Sequence, residues 1–362
     1  MGPSLRLGRF AGIDVFVHWT FALLVAYVLG AVLLDGQPLG AALAALALVL
    51  ATFGCVVLHE YGHALTARRY GVPTTDITLY PIGGVARLER IPEKPSQELA
   101  VAIAGPLVNV AIALLIGAGL LVTGTELAPL VGLLDPTAQF WSTLLWINVV
   151  LVVFNLIPAF PMDGGRILRS LLAMALPYER ATRIAARVGQ VLAVGFAVWG
   201  VLGGGVMLIV IAAFVFLGAS QESGATQMRR AIRGVPVRDA MLTDFATLGP
   251  ASTLGDAVAA LLAGSAQEFP VLGVDGRIAG VLTRKRLIAA LSEAGPGGRV
   301  VEAMAPACPA VEANAMLSDA LDRLQRPECA LLGVESGGRL VGILTVENIA
   351  ELLMVQRAVG AG

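Results

Sequence analysis

The residues of this chain most suited to chemistry are His59, Glu60 and His63, which form the pattern His-Glu-x-x-His. On an α-helix, positions i and i+4 lie one above the other, so both histidines can bind one metal ion while the glutamate reaches the water beside it. This arrangement is typical of zinc hydrolases. The same five-residue pattern also occurs by chance, as two surface histidines on an exposed helix of a soluble protein.

The surroundings of the pattern favour a metal site over that alternative. The apolar run from about residue 40 to 67 is long enough to span a bilayer. An ionisable side chain in such a segment is costly, and its presence indicates a function. We therefore predict a zinc site within the membrane.

The composition of the chain indicates an integral membrane protein. Of its 362 residues, 57% are hydrophobic and only 14% are charged, which is too apolar for an ordinary soluble enzyme. The net charge of -1 and the lack of a basic block argue against a nucleic-acid partner. The cysteines Cys55, Cys308 and Cys329 show no C-x-x-C spacing, so no disulfide framework is expected.

Apolar runs predict about six transmembrane helices by the criterion of roughly 20 residues per span. They lie near residues 15–34, 40–67, 99–123, 138–160, 186–202 and 204–220. Arginine and lysine occupy alternate loops between these runs, which by the positive-inside rule places both termini in the cytoplasm. The excess of arginine over lysine suggests a bacterial source, and hence a multi-pass protein of the bacterial inner (plasma) membrane.

A third protein ligand is expected because catalytic zinc usually takes three protein ligands and a water molecule. His63 precedes Arg68 by five residues, which puts the metal on the order of 10 Å inside the cytoplasmic boundary. Asp163, at the cytoplasmic end of the fourth run, lies at a similar depth and is the candidate. Its alternative role is the N-cap of a helix over residues 164–175.

Residues 76–90 alternate partly between polar and apolar side chains, and they predict a β-hairpin that turns at Gly83-Gly84. The predicted first domain is therefore a polytopic α-helical membrane protein with a β-hairpin, over residues 1–220.

Several motifs over residues 13–220 resemble the site-2 protease family of intramembrane zinc metalloproteases. They are Val17-His18-Trp19 at the start of the first span, the His59 pattern, Gly105-Pro106-Leu107-Val108-Asn109 in the third span, and residues 155–164 in the fourth. The resemblance implies that His59, His63 and Asp163 are the metal ligands and that Glu60 is the general base. It implies that Asn155 holds the scissile region of the substrate or its oxyanion.

The same resemblance suggests a substrate cleft near Asn109 and near Gly83 and Gly84. It implies that the hairpin is a re-entrant segment beside the active site, whose exposed edge could pair with an unwound substrate strand. For the hairpin the alternative is a cytoplasmic connection between two helices. For Asn109 the alternative is a polar clasp between helices. For His18 we favour a boundary anchor over a fourth ligand. The short external loop over residues 124–138 carries no PDZ-like insertion, so the chain resembles the branch of the family without that domain.

The soluble tail contains an internal repeat, with copies over residues 235–295 and 300–355 after a linker over residues 221–234. Ile278-Ala-Gly-Val-Leu-Thr283 matches Leu340-Val-Gly-Ile-Leu-Thr345, and a helix-like segment follows each. The repeat resembles a tandem pair of cystathionine-β-synthase-like (CBS) domains, an α/β fold that often binds adenosine nucleotides.

The tail departs from the CBS pattern at the acid that contacts ribose, because Arg286 and Asn348 occupy those positions. A ribose contact is therefore not expected, whereas Arg284, Lys285 and Arg286 are candidates for binding nucleotide phosphate. The alternative is a structural pair that only holds two protomers together.

Together these features predict an intramembrane zinc endopeptidase in the bilayer, with a CBS pair that regulates it or forms a homodimer. By resemblance, its substrates are single-span membrane proteins such as an anti-sigma factor, cut in regulated intramembrane proteolysis. The alternatives are a CBS-regulated channel or transporter and a catalytically inactive scaffold. The His-Glu-x-x-His pattern with its distant aspartate argues against both.

Overall fold

The computed structural model describes residues 4–81, 83–88, 94–128, 140–264, 267–326 and 328–360. The chain forms two compact units, residues 1–226 and residues 227–362. The helices that begin in the first unit are α1 Phe21–Leu34, α2 Leu39–Arg69, α3 Pro95–Thr123, α4 Phe140–Asn155, α5 Asp163–Ala173, α6 Tyr178–Trp199 and α7 Val206–Ala231.

Four helical segments of the described chain are long and apolar enough to cross a membrane. They are Leu39–Arg69, Pro95–Thr123, Tyr178–Gly204 and Val206–Gly224. Helices α1 and α4 are apolar but have only 14 and 16 residues. The polytopic helical class is confirmed, whereas the count of six spans is not.

A four-stranded sheet accounts for the shortness of α1. Its strands β1 Ser4–Phe10, β2 Ile13–His18, β3 Thr74–Tyr80 and β4 Gly83–Leu88 lie in the order β1-β2-β3-β4, and β2 is parallel to β3. The prediction of a span from residue 15, opened by Val17-His18-Trp19, is wrong at its start. Ile13 and Val15 are buried on one face of β2, as the period of two in a strand requires.

The predicted β-hairpin is confirmed, but its turn lies elsewhere. Tyr80 pairs with Gly83 and Leu79 with Gly84, so both glycines belong to β4 rather than to the turn. Among the described strands, β4 has a neighbour on one side only and is therefore an edge of the sheet.

The second unit contains two three-stranded sheets, in the orders β5-β6-β7 and β10-β9-β8. The strands are β5 Glu268–Leu272, β6 Ile278–Thr283, β7 Ala305–Pro306, β8 Val311–Glu312, β9 Leu332–Ser336 and β10 Arg339–Leu344. The helices are α8 Leu254–Ala263, α9 Arg284–Ala294, α10 Val300–Ala303, α11 Leu317–Leu324 and α12 Val346–Gly360. Helix α9 begins directly after β6, and α12 begins after β10 with one residue between them. This repeated strand–helix order is the one that the sequence predicts.

One feature of the second unit contradicts the sequence prediction. Cys308 and Cys329 form a disulfide, with their Cα atoms 5.8 Å apart and a sequence separation of 21. The spacing gave no signal for this bond, because the tertiary fold brings the two cysteines within bonding distance. Cys55 is a buried free thiol.

Candidate active site

The two histidines of the His-Glu-x-x-His pattern lie on a buried face of α2. His59 and His63 are 6% and 4% exposed, and their Nε2 atoms are 3.1 Å apart. Their rings reach the same point because residues i and i+4 are one helical turn apart. The structure thus brings the two histidines together as their spacing predicts.

The carboxylate of Asp163 reaches the same point from a different element. Its Oδ2 atom lies 3.2 Å from the Nε2 atom of His59 and 3.2 Å from that of His63. Asp163 is the first residue of α5, and Met162 occupies the N-cap position, so the alternative N-cap role of Asp163 is wrong. The three buried side chains form a group whose ligand atoms all lie within 4.8 Å of one another.

The geometry of this group fits a zinc ion. With zinc–ligand distances of about 2.0–2.1 Å, tetrahedral ligand atoms lie roughly 3.3 Å apart, close to the separations seen here. The Oδ2 atom of Asp163 is buried and has no hydrogen-bond partner. Helix α3 leaves the necessary space, because a Cβ built on Gly105 would lie 2.7 Å from Nε2 of His59 and closer still to Nε2 of His63.

Hydrogen bonds on the far side of each ring orient the histidines. Nδ1 of His63 lies 2.7 Å from the carbonyl oxygen of Val101, which can only accept. Nδ1 of His59 lies 2.5 Å from Oδ1 of Asn109. A ring that donates from Nδ1 has the lone pair of Nε2 free for a metal ion.

Glu60 lies beside the metal group and directly against strand β4. It is partly exposed, and a Cβ built on Gly84 would lie 2.8 Å from its Cγ atom and 3.1 Å from a methyl group of Val56. The absence of a side chain at Gly84 therefore lets the edge strand approach the glutamate closely. The assignment of Gly83 and Gly84 to a substrate cleft stays a prediction.

Comparison with known proteins identifies the family. Residues 47–196 match Peptidase family M50, and residues 226–293 and 300–355 match the CBS domain. Zinc metalloprotease MJ0392 of Methanocaldococcus jannaschii is 34% identical over 284 residues, which cover 78% of this chain and 78% of that protein. The chain belongs to peptidase family M50.

Two further relatives and one solved structure are also similar to this chain. The Rip3 protein of Mycobacterium tuberculosis is 29% identical over 99% of this chain and 94% of its own length. Stage IV sporulation protein FB of Bacillus subtilis is 30% identical, over 36% of this chain and 41% of that protein. The solved site-2 protease from Methanocaldococcus jannaschii is 38% identical, covers 61% of this chain and 95% of its own, and gives a TM-score of 0.45. The predicted membership of the site-2 protease family and the predicted CBS pair are confirmed. The prediction of a zinc metalloprotease is confirmed as well.

The M50 resemblance assigned two asparagines to substrate contact, and the structure separates them. Asn155 ends α4, is partly buried, and donates from Nδ2 to the carbonyl oxygen of Leu151 at 3.0 Å. Its contact with a substrate stays a prediction. Asn109 is 0% exposed and lies between His59 and Asn148, so it forms the polar clasp between helices rather than a wall of the cleft.

His18 lies at the end of β2. Its Nδ1 atom is 2.7 Å from Oγ1 of Thr20, and its ring is 5.0 Å from that of Tyr80. The candidate ligand group found in the described chain does not contain it. These contacts agree with an anchoring role.

In the CBS pair, the basic cluster lies at the start of α9. Arg284, Lys285 and Arg286 are exposed, and Nη1 of Arg286 lies 3.3 Å from the carbonyl oxygen of Ala303. Oδ1 of Asn348 accepts from the backbone N–H of Thr345 at 3.1 Å. Arg286 is therefore partly engaged with the protein, while Arg284 and Lys285 stay candidates for phosphate.

Sequence reasoning missed two groups of buried polar residues near the site. Asn148 is 0% exposed within the apolar helix α4, and that setting was the signal that could have found it. Arg169 of α5 is 1% exposed and forms ion pairs with Glu98 of α3 and Glu222 of α7. Its partners are too distant in sequence to be predicted from spacing.

Proposed function

We propose that this M50 zinc metalloprotease is an intramembrane endopeptidase that cleaves transmembrane segments of other membrane proteins. The observation that carries the proposal is the convergence of His59, His63 and Asp163 beside Glu60. The histidines belong to α2, a helix of 31 residues that is apolar enough to span a bilayer. A hydrolytic centre on such a helix is suited to a substrate that is itself in the membrane.

Each side chain has a distinct role in this proposal. His59, His63 and Asp163 hold zinc, which when bound supplies Lewis-acid polarisation and activates water for attack. Glu60 takes the proton of the attacking water and delivers it to the leaving amine. Asn155, at the end of α4, donates to the developing oxyanion once its amide turns from the carbonyl of Leu151.

The edge strand β4 offers a way to hold the substrate. A transmembrane helix must unwind before its peptide bonds can be reached, and an unwound segment carries unpaired backbone groups that are costly in a membrane. The outer edge of β4 can pair with those groups. Because Gly84 lies against Glu60, a strand added there would pass close to the general base.

The charge pattern and the CBS pair support the proposed orientation and partners. The proposed location is the bacterial inner membrane, with both termini and the CBS domains in the cytoplasm. The CBS pair, residues 235–295 and 300–355, would join two chains as a homodimer and regulate the protease. The proposed substrates are single-span membrane proteins such as an anti-sigma factor.

Reconstituted protein in liposomes tests the proposal. A reporter with one transmembrane helix should be cut within that helix, cleavage should stop when a chelator removes the metal, and zinc should restore it. A soluble peptide of the same sequence serves as the control. Cleavage of the soluble peptide but not of the membrane reporter would contradict the intramembrane proposal while leaving the metalloprotease intact.

A further inference from the structure

A chain of buried amides connects the metal group to helix α4. Asn109 and Asn148 are both 0% exposed, although α3 and α4 are apolar helices. Nδ2 of Asn109 donates to Oδ1 of Asn148 at 2.8 Å, and Oδ1 of Asn109 lies 2.5 Å from Nδ1 of His59. Burying two amides is costly unless their hydrogen bonds are made, so this arrangement requires an explanation.

The direction of every hydrogen bond in this chain follows from its far end. The carbonyl oxygen of Leu144 lies 2.9 Å from the side chain of Asn148, and because a carbonyl can only accept, that atom of Asn148 must be Nδ2. Oδ1 of Asn148 therefore points to Asn109 and must receive a proton from its Nδ2. Oδ1 of Asn109 is then left to face His59 as an acceptor.

The consequence is that the proton of His59 lies on Nδ1. Only this tautomer leaves a lone pair on Nε2, the atom that faces His63 and Asp163. His63 obtains the same tautomer directly from the carbonyl oxygen of Val101. His59 has an amide as its partner, and an amide can present either an oxygen or a nitrogen, so a further residue must set its direction.

Asn148 also contacts helix α2 directly. Its Nδ2 lies 3.5 Å from Sγ of Cys55, one helical turn before His59. The two protons of Nδ2 are thereby assigned to Leu144 and Cys55, and Oδ1 to Asn109. With all its hydrogen-bonding groups in use, the amide of Asn148 has one orientation and holds α2, α3 and α4 in register.

We propose that Asn148 is a positioning residue that acts through Asn109 to set the tautomer and orientation of His59. This inference rests on the proposed metal site. Asn148 does not touch the ligand atoms, so its effect must pass through Asn109. Loss of an outer partner of a metal-binding histidine typically lowers metal affinity by about 10- to 100-fold.

The test is zinc affinity of the full-length protein, measured by chelator competition, together with the visible spectrum of bound Co²⁺. Asn109→Leu and Asn148→Leu should each weaken zinc binding by about 10- to 100-fold. Because the two act in series, the double variant should bind zinc no more weakly than Asn109→Leu alone. Additive losses in the double variant would contradict the proposal.

Isosteric variants separate this role from simple packing. In Asn148→Asp, a protonated carboxyl can donate to Leu144 and accept from Asn109, so zinc affinity should stay within about 3-fold of wild type. If Asn148→Asp lost as much zinc affinity as Asn148→Leu, keeping the directions of the hydrogen bonds would not preserve zinc binding. That result would overturn the inference. Ser142→Ala is the matched control, since Ser142 is also 0% exposed on α4 but accepts from the backbone of Ala128.

The wild-type measurement distinguishes two kinds of failure. If the wild-type protein does not bind zinc, the proposed metal site itself is wrong. If wild type binds zinc and Asn148→Leu binds it equally well with the same Co²⁺ spectrum, the metal site stands and only the positioning role fails.

Discussion

At the residue scale, the ligands and the base of the candidate site have separable roles. His59, His63 and Asp163 present three atoms to one point, whereas Glu60 lies beside that point against β4. A change in a ligand should therefore appear first in metal content. A change in the base should appear only in the rate of hydrolysis.

Glu60→Gln should retain zinc and lose peptide cleavage by at least about 100-fold, because an amide cannot take the proton of the attacking water. Metal analysis and the liposome cleavage assay on the same preparation measure both quantities. Normal cleavage by zinc-loaded Glu60→Gln would remove Glu60 from the mechanism.

Asp163→Ala should weaken zinc binding by more than the roughly 10- to 100-fold that is typical of an outer partner, because it removes one of three protein ligands. His18→Ala is the control, since His18 lies with Thr20 and Tyr80 and should leave zinc affinity unchanged. Competition with a chelator gives both affinities. Equal zinc occupancy in the two variants would exclude Asp163 as a ligand.

At the scale of elements, the site depends on how closely α3 approaches α2. A Cβ on Gly62 of α2 would lie 2.7 Å from the carbonyl oxygen of Ala104, and a Cβ on Gly105 would enter the metal position. Two small residues on facing helices thus permit the contact, as is common between membrane helices.

Gly105→Ala should abolish zinc binding, because its methyl group would occupy the space between the two Nε2 atoms. Gly119→Ala, on the same helix, meets no atom within 4 Å and should bind zinc as wild type does. Measuring the zinc stoichiometry of the two purified variants tests this prediction. Full occupancy in Gly105→Ala would show that the helices separate readily.

A cluster of ion pairs holds α5, the helix that carries Asp163. The guanidinium of Arg169 pairs with buried Glu98 and with partly exposed Glu222, and it lies 5.0 Å from the ring centre of Phe160. Loss of the sole partner of a buried charged side chain typically costs about 3–5 kcal/mol, whereas Arg169 keeps one carboxylate partner if the other is removed.

We therefore expect Glu98→Gln to lower the free energy of unfolding, but by less than the roughly 3–5 kcal/mol of a fully unpaired buried charge, because Glu222 still pairs with Arg169. Glu222→Gln should cost less, because water can reach that carboxylate and replace part of the interaction. Thermal unfolding in detergent, followed with the rate of zinc loss, compares the two. Equal destabilisation would show that burial of Glu98 is not the deciding factor.

At the scale of the whole molecule, the chain joins a membrane protease to a pair of CBS domains. Regulation requires that a ligand bind the CBS pair with different affinity in the active and inactive states of the protease. The positions for ribose acids hold Arg286 and Asn348, and the side chain of Asn348 is used to cap its own turn.

Calorimetry on the full-length protein should therefore show tighter binding of ATP than of adenosine, because phosphate rather than ribose would be recognised. Arg284→Ala combined with Lys285→Ala should remove that preference. Adenosine binding as tightly as ATP would exclude the basic cluster as the recognition element. Absence of binding by either would favour a CBS pair that only joins protomers.

Features whose geometry is local can be predicted from the sequence. His59 and His63 are four residues apart on one helix, so their convergence follows from helical periodicity. The alternation of polar and apolar residues likewise predicts the β-hairpin, and the internal repeat predicts the CBS pair. The start of the first helix could not be predicted in this way, because β2 pairs with β3 some sixty residues away in sequence.

Features that join distant segments depend on how the elements pack. The sequence offers Asp163 as a candidate ligand by its depth, but no spacing rule specifies that it lies 3.2 Å from two histidines about a hundred residues earlier. The same holds for the space left by Gly105, the amide chain through Asn148, and the bond between Cys308 and Cys329. In each case the chemistry depends on side-chain distances set by packing between elements, and packing is a property of the folded chain.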